Sequence, residues 1–264
     1  MSKPMTYRGT TALITGASSG LGVEFARQWA ERGADVVLVA RRADRLEELA
    51  ADLEKRFGIK ATAVPADLAR PGAGALLREE LAARQISVQT VVNNAGFGSH
   101  GPFADQDPAE IARMVQVNIA AVVDIARAFL PDLVADGRGA LVTVASIAAY
   151  QPTPAMAVYG ATKAFVLHFT EAVAYETRKS DLRVLALSPG PTSTEFFDVV
   201  GSRDAAVGRF AGAEQVVAVA RKSLERPAPP ASVIAGLGNR VSAVAAALAP
   251  RRLALAVSGR VLKA

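Results

Sequence analysis

From residue 11 onward the chain alternates short, continuously apolar runs with longer stretches in which apolar residues recur every three or four positions. The short runs, rich in Val, Leu, Ile and Ala, predict strands at 11–15, 35–40, 60–65, 88–93, 140–145, 183–188 and 232–236. The intervals between them predict helices, most clearly at 20–32, 44–57, 108–135, 154–179 and 213–225. Two of these open on proline, after Asp107 and Thr153, residues whose side chains suit a helix cap. Such a rhythm predicts βαβ units and therefore an α/β fold built on one parallel sheet of about seven strands. No repeat or linker divides it. Residues 1–238 read as one domain. Residues 239–264, NRVSAVAAALAPRRLALAVSGRVLKA, extend it with apolar stretches punctuated by Pro250 and five basic side chains. This tail is too short to span a bilayer. It is expected to pack on the protein itself, in preference to an anionic membrane surface or a second chain. The helices at 108–135 and 154–179 carry Ile119, Val123, Phe129, Phe165, Phe169 and Val173 on more than one side. A second apolar face must be buried somewhere, which predicts self-association.

Composition removes several kinds of chemistry. With 264 residues, 51% hydrophobic and 21% charged, the chain has the balance of a globular protein with a substantial core. It contains no cysteine, so disulfides, thiolate metal sites and cysteine nucleophiles are excluded, and an intracellular setting fits. Only two histidines, His100 and His168, are present, which leaves no histidine-rich metal site, and no metal is expected. A net charge of +5 raises nucleic acid as a partner, but no run of basic residues interleaved with aromatics supports it. Nothing near the N-terminus has the make-up of a signal peptide, and no apolar run reaches the length of a membrane span; the cytoplasm is the default expectation.

Chemistry gathers at the ends of the predicted strands. The first strand runs into Gly16-Ala17-Ser18-Ser19-Gly20-Leu21-Gly22 and then an amphipathic helix. Glycines at such a turn let the backbone approach a pyrophosphate, whose charge is met by the free N–H groups of the helix N-terminus. Their spacing differs from the common GxGxxG. Farther on, Asn93-Asn94-Ala95-Gly96 ends the fourth predicted strand, Ser146 ends the fifth, and Ser188-Pro189-Gly190-Pro191-Thr192-Ser193-Thr194 ends the sixth. In a doubly wound sheet these ends share the edge where ligands bind. The sequence Tyr159-Gly160-Ala161-Thr162-Lys163 places a phenol and an ammonium four residues apart, hence on one helix face, where the cation can act on the phenol.

Taken together, TGASSGLG at 15–22, NNAG at 93–96, Asn118, Ser146, YGATK at 159–163 and PGPTST at 189–194 make the chain similar to the short-chain dehydrogenase/reductase family, in its compact single-domain subgroup. The resemblance covers about residues 10–200. It implies a doubly wound Rossmann-type sheet with helices on both faces, an NAD(P)(H) site at the glycine turn, and a catalytic tetrad of Asn118, Ser146, Tyr159 and Lys163. In that scheme Tyr159 exchanges a proton with the substrate oxygen, Lys163 depresses the tyrosine pKa and holds the nicotinamide ribose, Ser146 bonds the carbonyl, and Asn118 supports a water leading to Lys163. Cofactor contacts implied by the resemblance are Gly16, Ser18, Ser19, Gly20, Leu21, Gly22, Asp67, Leu68, Asn94, Ala95, Gly96, Pro189, Gly190, Thr192 and Thr194, together with Tyr159 and Lys163. Relatives also commonly pair through the two long helices, so a homodimer or homotetramer is expected.

Arg41 and Arg42 follow the second strand, where a carboxylate would bind a ribose 2′-hydroxyl and an arginine suits a 2′-phosphate. NADP(H) is therefore expected over NAD(H), with Arg41 as the first contact and Arg42 as its alternative. Phe97, Ala148, Gln151, Met156, Phe196 and Phe197 form a mostly apolar set expected near the nicotinamide, which points to a lipophilic ketone, aldehyde or secondary alcohol. His100 is read as a loop residue and His168, off the Tyr159–Lys163 face, as structural. Two other readings stay open: a sugar-nucleotide epimerase or dehydratase on the related longer scaffold, and a dinucleotide sensor without turnover.

Overall fold

The computed structural model describes residues 4–201 and 210–262. Seven strands form, β1 (Thr11–Thr15), β2 (Asp35–Ala40), β3 (Ala61–Pro65), β4 (Thr90–Asn93), β5 (Ala140–Val144), β6 (Arg183–Ser188) and β7 (Ser232–Ile234). They make one sheet in the order β3-β2-β1-β4-β5-β6-β7, with every neighbouring pair parallel. Helices α1 (Gly20–Ala30), α2 (Ala43–Phe57), α3 (Ala73–Ala83), α4 (Pro108–Val115), α5 (Ala121–Asp136), α6 (Ala157–Glu176), α7 (Phe196–Val200), α8 (Ala213–Leu224), α9 (Leu237–Leu248) and α10 (Arg251–Val261) complete the order. No helix among the described residues is long and apolar enough to cross a membrane.

Why the strands are apolar at every position becomes clear from the two cores. Side chains alternate across a strand. Ile14, Leu38, Val92, Val142 and Leu185 point to one face, where Phe25 and Trp29 of α1, Leu46 and Leu53 of α2 and Val217 of α8 cover them. Their neighbours Leu13, Val37, Val91, Leu141 and Val184 point to the other, under Leu77 and Leu81 of α3 and Ile125, Phe129 and Leu133 of α5. A strand covered on both sides has no polar face to show.

Three expectations are corrected. The helix expected at 108–135 begins as expected, with Asp107 accepting from the Ala109 amide and Pro108 in the first turn, but it is interrupted by a π-turn over Gln116–Ala120. The helix expected from Pro154 begins instead at Ala157. Ala155 adopts a left-handed φ of 61°, and the Thr153 hydroxyl donates to the Met156 carbonyl at 3.0 Å instead of capping. The third correction concerns the supposed second apolar face: Phe129 and Val173 are buried in the chain's own core, whereas Phe165 is 40% exposed and stacks on Phe169 at 6.0 Å. Helix α3, which the sequence reading did not single out, buries Ala73, Leu77 and Leu81 at four-residue spacing.

Phe129 therefore has a measurable signature. Truncation of a buried phenylalanine to alanine costs about 3–5 kcal/mol through lost transfer free energy and the cavity left behind. Phe129→Ala is expected to lower the Tm by roughly 6–20 °C in a calorimetric scan. A shift within about 2 °C would return the side chain to an exposed face.

Candidate active site

Parallel pairing sends the carboxyl ends of all seven strands to one edge, and a cleft of about 1730 Å³ lies along it. Every site residue expected from the sequence lines this cleft except Gly22 and Asn118, which stand behind its wall.

At the end of β1 the chain turns through Gly16 to Gly20 and enters α1, whose first turn has no side-chain cap. Its amide groups are left for an anion. Gly20 has φ 55° with its α-carbon against Thr194, and a side chain on Gly22 would lie 2.1 Å from the Gly16 carbonyl oxygen. Those two positions fix how closely the turn and α1 approach. Across the gap between β1 and β4, the Thr15 hydroxyl accepts from the amides of Asn94 and Ala95 at 3.0 Å each, and the Asn94 side chain donates to Thr15 O at 2.9 Å. These bonds fix the two strand ends relative to each other at the point where the order reverses.

Arg42, at the start of α2, donates to the Ser18 hydroxyl and to Glu195 at 3.0 Å, while Arg45 also pairs with Glu195. The two guanidinium groups hold the Glu195 carboxyl below the usual carboxylate range, Arg45 contributing most. Arg41 lines the same end of the cleft, exposed and with its side chain in no ion pair among the described residues. The guanidinium oriented against the glycine turn is thus that of Arg42, the alternative of the sequence reading.

The proton-handling groups lie at the centre. Tyr159 and Lys163, in the first two turns of α6, are both buried, with the Lys163 Nζ 5.8 Å from the Tyr159 ring centroid. Lys163 donates to the Val144 carbonyl at 2.8 Å, the last residue of β5. Burial pushes the Tyr159 phenol up to about 12, opposed by the neighbouring Ser146 hydroxyl, and pushes the Lys163 ammonium down to about 8. Lys163 is expected from the sequence to depress the phenol; burial sets the direction of both shifts here and favours the neutral form of each group. Ser146 accepts from the Ala148 amide at 3.1 Å, and its own O–H is directed to the Tyr159 side of the cleft. Asn118 sits in the π-turn, 1% exposed. Its amide nitrogen donates to Phe97 O at 2.8 Å and to the Thr162 hydroxyl at 3.1 Å, and its oxygen accepts from Phe97 N at 3.1 Å. All of its side-chain bonds go to the loop after β4 and to α6, so it acts as a positioning residue.

Apolar groups close the other side. Phe196 lies 5.4 Å from the Tyr159 ring, Phe197 packs edge-on to Phe196 at 5.3 Å, and Met114, Met156 and Val200 complete a cluster with Tyr159. The sequence reading missed Phe210, Asn239, Ala243 and Leu262, which also line the cleft. They come from segments without a motif: Phe210 from the segment before α8, packed on Phe197, and the other three from the tail. His100 lies in a loop with Nε2 3.3 Å from Leu262 O, and His168 is exposed, 3.8 Å from Glu171.

Comparison with known proteins gives the same frame. The model of the short chain dehydrogenase family matches residues 10–205. Sulfoacetaldehyde reductase 2 of Chromohalobacter salexigens is 38% identical over 70% of this chain and 73% of its own length. A very-long-chain 3-oxoacyl-CoA reductase of Laccaria bicolor is 32% identical over 67% of this chain, which spans about half (53%) of that relative. A short-chain dehydrogenase of Sphingobium yanoikuyae, solved in complex with NADPH, superposes with a TM-score of 0.80 at 34% identity, over 94% of this chain and 95% of the other. By the family match over most of its length and by these relatives, the chain belongs to the short-chain dehydrogenase/reductase family of oxidoreductases acting on CH–OH and C=O groups.

Proposed function

We propose that the protein is an NADP(H)-dependent reductase of lipophilic ketones or aldehydes, running in reverse as a secondary alcohol dehydrogenase. The observation that carries this reading is a buried, protonated Tyr159 facing an apolar pocket, with Lys163 anchored beneath it on the Val144 carbonyl. A nicotinamide dinucleotide, when bound along the strand ends, supplies or accepts the hydride. Its pyrophosphate fits the uncapped start of α1, and Arg42 fits a 2′-phosphate because Ser18 and Glu195 already orient its guanidinium. NADPH in the Sphingobium relative supports this assignment, with NADH the weaker alternative.

The chain's own residues then do the following. Ser146 donates to the substrate oxygen and orients it toward the phenol. Tyr159 gives that oxygen its proton in reduction and takes it back in oxidation. Lys163, kept by its bond to Val144 O on the inner side of the phenol, supports the charge that Tyr159 acquires. Asn118 fixes the loop at Phe97, and Phe97, Phe196, Phe197 and Met156 exclude water and prefer an apolar substituent. We place the protein in the cytoplasm, which suits a chain without cysteine. It is expected to self-associate where Phe165 and Tyr175 remain exposed on α6.

Three outcomes test these roles. Tyr159→Phe should lower kcat/KM for NADPH-dependent reduction by about 10²–10⁴-fold, while the NADPH Kd, read by fluorescence titration, stays within a few-fold. An unchanged rate removes Tyr159 from the proton path.

Wild type should prefer NADPH over NADH by at least about tenfold in kcat/KM, equivalent to ~1.4 kcal/mol. Arg42→Asp should reduce or invert that ratio, Arg41→Asp less so. A wild type favouring NADH, or a double Arg41→Asp/Arg42→Asp variant with the ratio intact, refutes the phosphate assignment.

The third outcome follows from the lysine. Between about pH 8 and 10.5 the unfolded chain binds a proton at Lys163 that the folded chain does not, so wild-type stability gains as pH rises through that window. Lys163→Met has no such group. Urea titrations should show the wild type gaining about 3 kcal/mol on this variant between pH 7 and 10.5. A pH-independent gap would mean that the ammonium is not desolvated.

A further inference from the structure

The last two helices are attached by one stripe each. In α9 Ala243 is buried and Asn239 donates to Ala235 O at 2.7 Å; in α10 Ala254, Ser258 and Leu262 are buried at four-residue intervals, with Ser258 donating to Pro152 O at 2.7 Å. Packing on the protein, the sequence expectation for this tail, accounts for those stripes alone. On the opposite side of α9, Leu237, Val241, Val244 and Leu248 are 50–81% exposed at spacings of four, three and four, which is one continuous helical stripe. In α10 Leu253, Val257 and Val261 repeat every fourth residue and are 44–55% exposed. Eight of the fifteen exposed large hydrophobic side chains among the described residues fall in these two helices.

Charge is segregated in the same place. Residues 1–225 hold 24 basic and 25 acidic side chains, a net −1, whereas residues 226–264 hold six basic and no acidic ones, a net +6 against +5 for the whole chain. No long basic run marks this, because the arginines alternate with apolar residues. Arg240, Arg251, Arg252 and Arg260 are exposed and make no ion pair among the described residues.

We infer that α9 and α10 form a docking surface for an anionic lipid bilayer. A partner must cover an apolar stripe and neutralise an unopposed cationic one. A second copy meeting this face through a two-fold axis would set Arg240, Arg251, Arg252 and Arg260 against the same four arginines. A polyanion such as nucleic acid would neutralise the arginines and leave the leucines and valines in water. Anionic headgroups over an acyl boundary satisfy both, in the manner of helices that lie in the interface plane. The same segment supplies Asn239, Ser242, Ala243 and Leu262 to the lining of the cleft, so the docking helices form part of its wall.

The test needs no substrate. Purified full-length protein is sedimented with vesicles of phosphatidylcholine alone or with about one-third phosphatidylglycerol. Binding to the anionic vesicles should exceed binding to the neutral ones by at least about tenfold and fall when salt is raised to about 0.5 M. Hydrogen exchange of residues 237–262 in the wild type should slow on those vesicles. Val241→Ser/Val244→Ser/Leu248→Ser and Arg251→Glu/Arg252→Glu should each lose binding while keeping the wild-type Tm and the wild-type rate on a water-soluble carbonyl. Failure of the wild type to bind anionic vesicles, equal binding to neutral ones, or unaltered exchange in 237–262 overturns the proposal. So does light scattering in which the serine variant turns a wild-type dimer into a monomer, which assigns the face to a second copy. A bound protein without reductase activity would leave the docking surface standing and refute only the functional reading.

Discussion

Parallel pairing is the constraint on which everything else rests. A parallel strand cannot be followed by a tight turn, so each must be connected through a helix crossing one face. Every strand then ends at the same edge. The order β3-β2-β1-β4-β5-β6-β7 adds one discontinuity, between β1 and β4, where successive crossovers go to opposite faces. The Thr15 hydroxyl, accepting from the amides of Asn94 and Ala95, ties the two chains together just beyond the last ladder pair. The cleft is thus a by-product of topology, and side chains need only be placed at strand ends to converge in it.

Within that cleft desolvation governs the electrostatics. Tyr159 and Lys163 are both taken out of water, which favours the neutral form of each: the phenol keeps its proton and the ammonium holds its own less tightly. The bond from Lys163 to Val144 O orients the charge without neutralising it. Such a pair is costly to fold around and ready to exchange one proton.

Strand positions and the glycine, Ser146 and Tyr-x-x-x-Lys stretches were readable in the sequence because each is local: an apolar run or a spacing that one element satisfies by itself. What depended on distant parts of the chain was not. Phe129 looked available for a second face because periodicity alone does not say how many layers cover a helix. Pro154 looked like a first-turn residue, yet the left-handed Ala155 breaks the path two residues before Ala157. Leu262 and Asn239 carry no motif and enter the cleft only through the fold of the tail. The preference of the glycine turn for Arg42 over Arg41 rests on Ser18 and on Glu195, which is 153 residues away.

The π-turn at Gln116–Ala120 has an effect on how this segment is aligned with any other. A turn of that kind holds one residue more than the α-helix requires, and each residue of an α-helix advances the direction of its side chain by about 100°. Removal of a single residue there would leave both flanking helices intact and their lengths almost unaltered. It would rotate one relative to the other, swinging either Met114 out of its buried cluster or Ile125 off the sheet, and would cost Asn118 its three hydrogen bonds to Phe97 and Thr162. Two sequences that look collinear through 108–136 can therefore differ in phase, and the helix on which the loop at Phe97 is hung tolerates substitution more readily than a change of length.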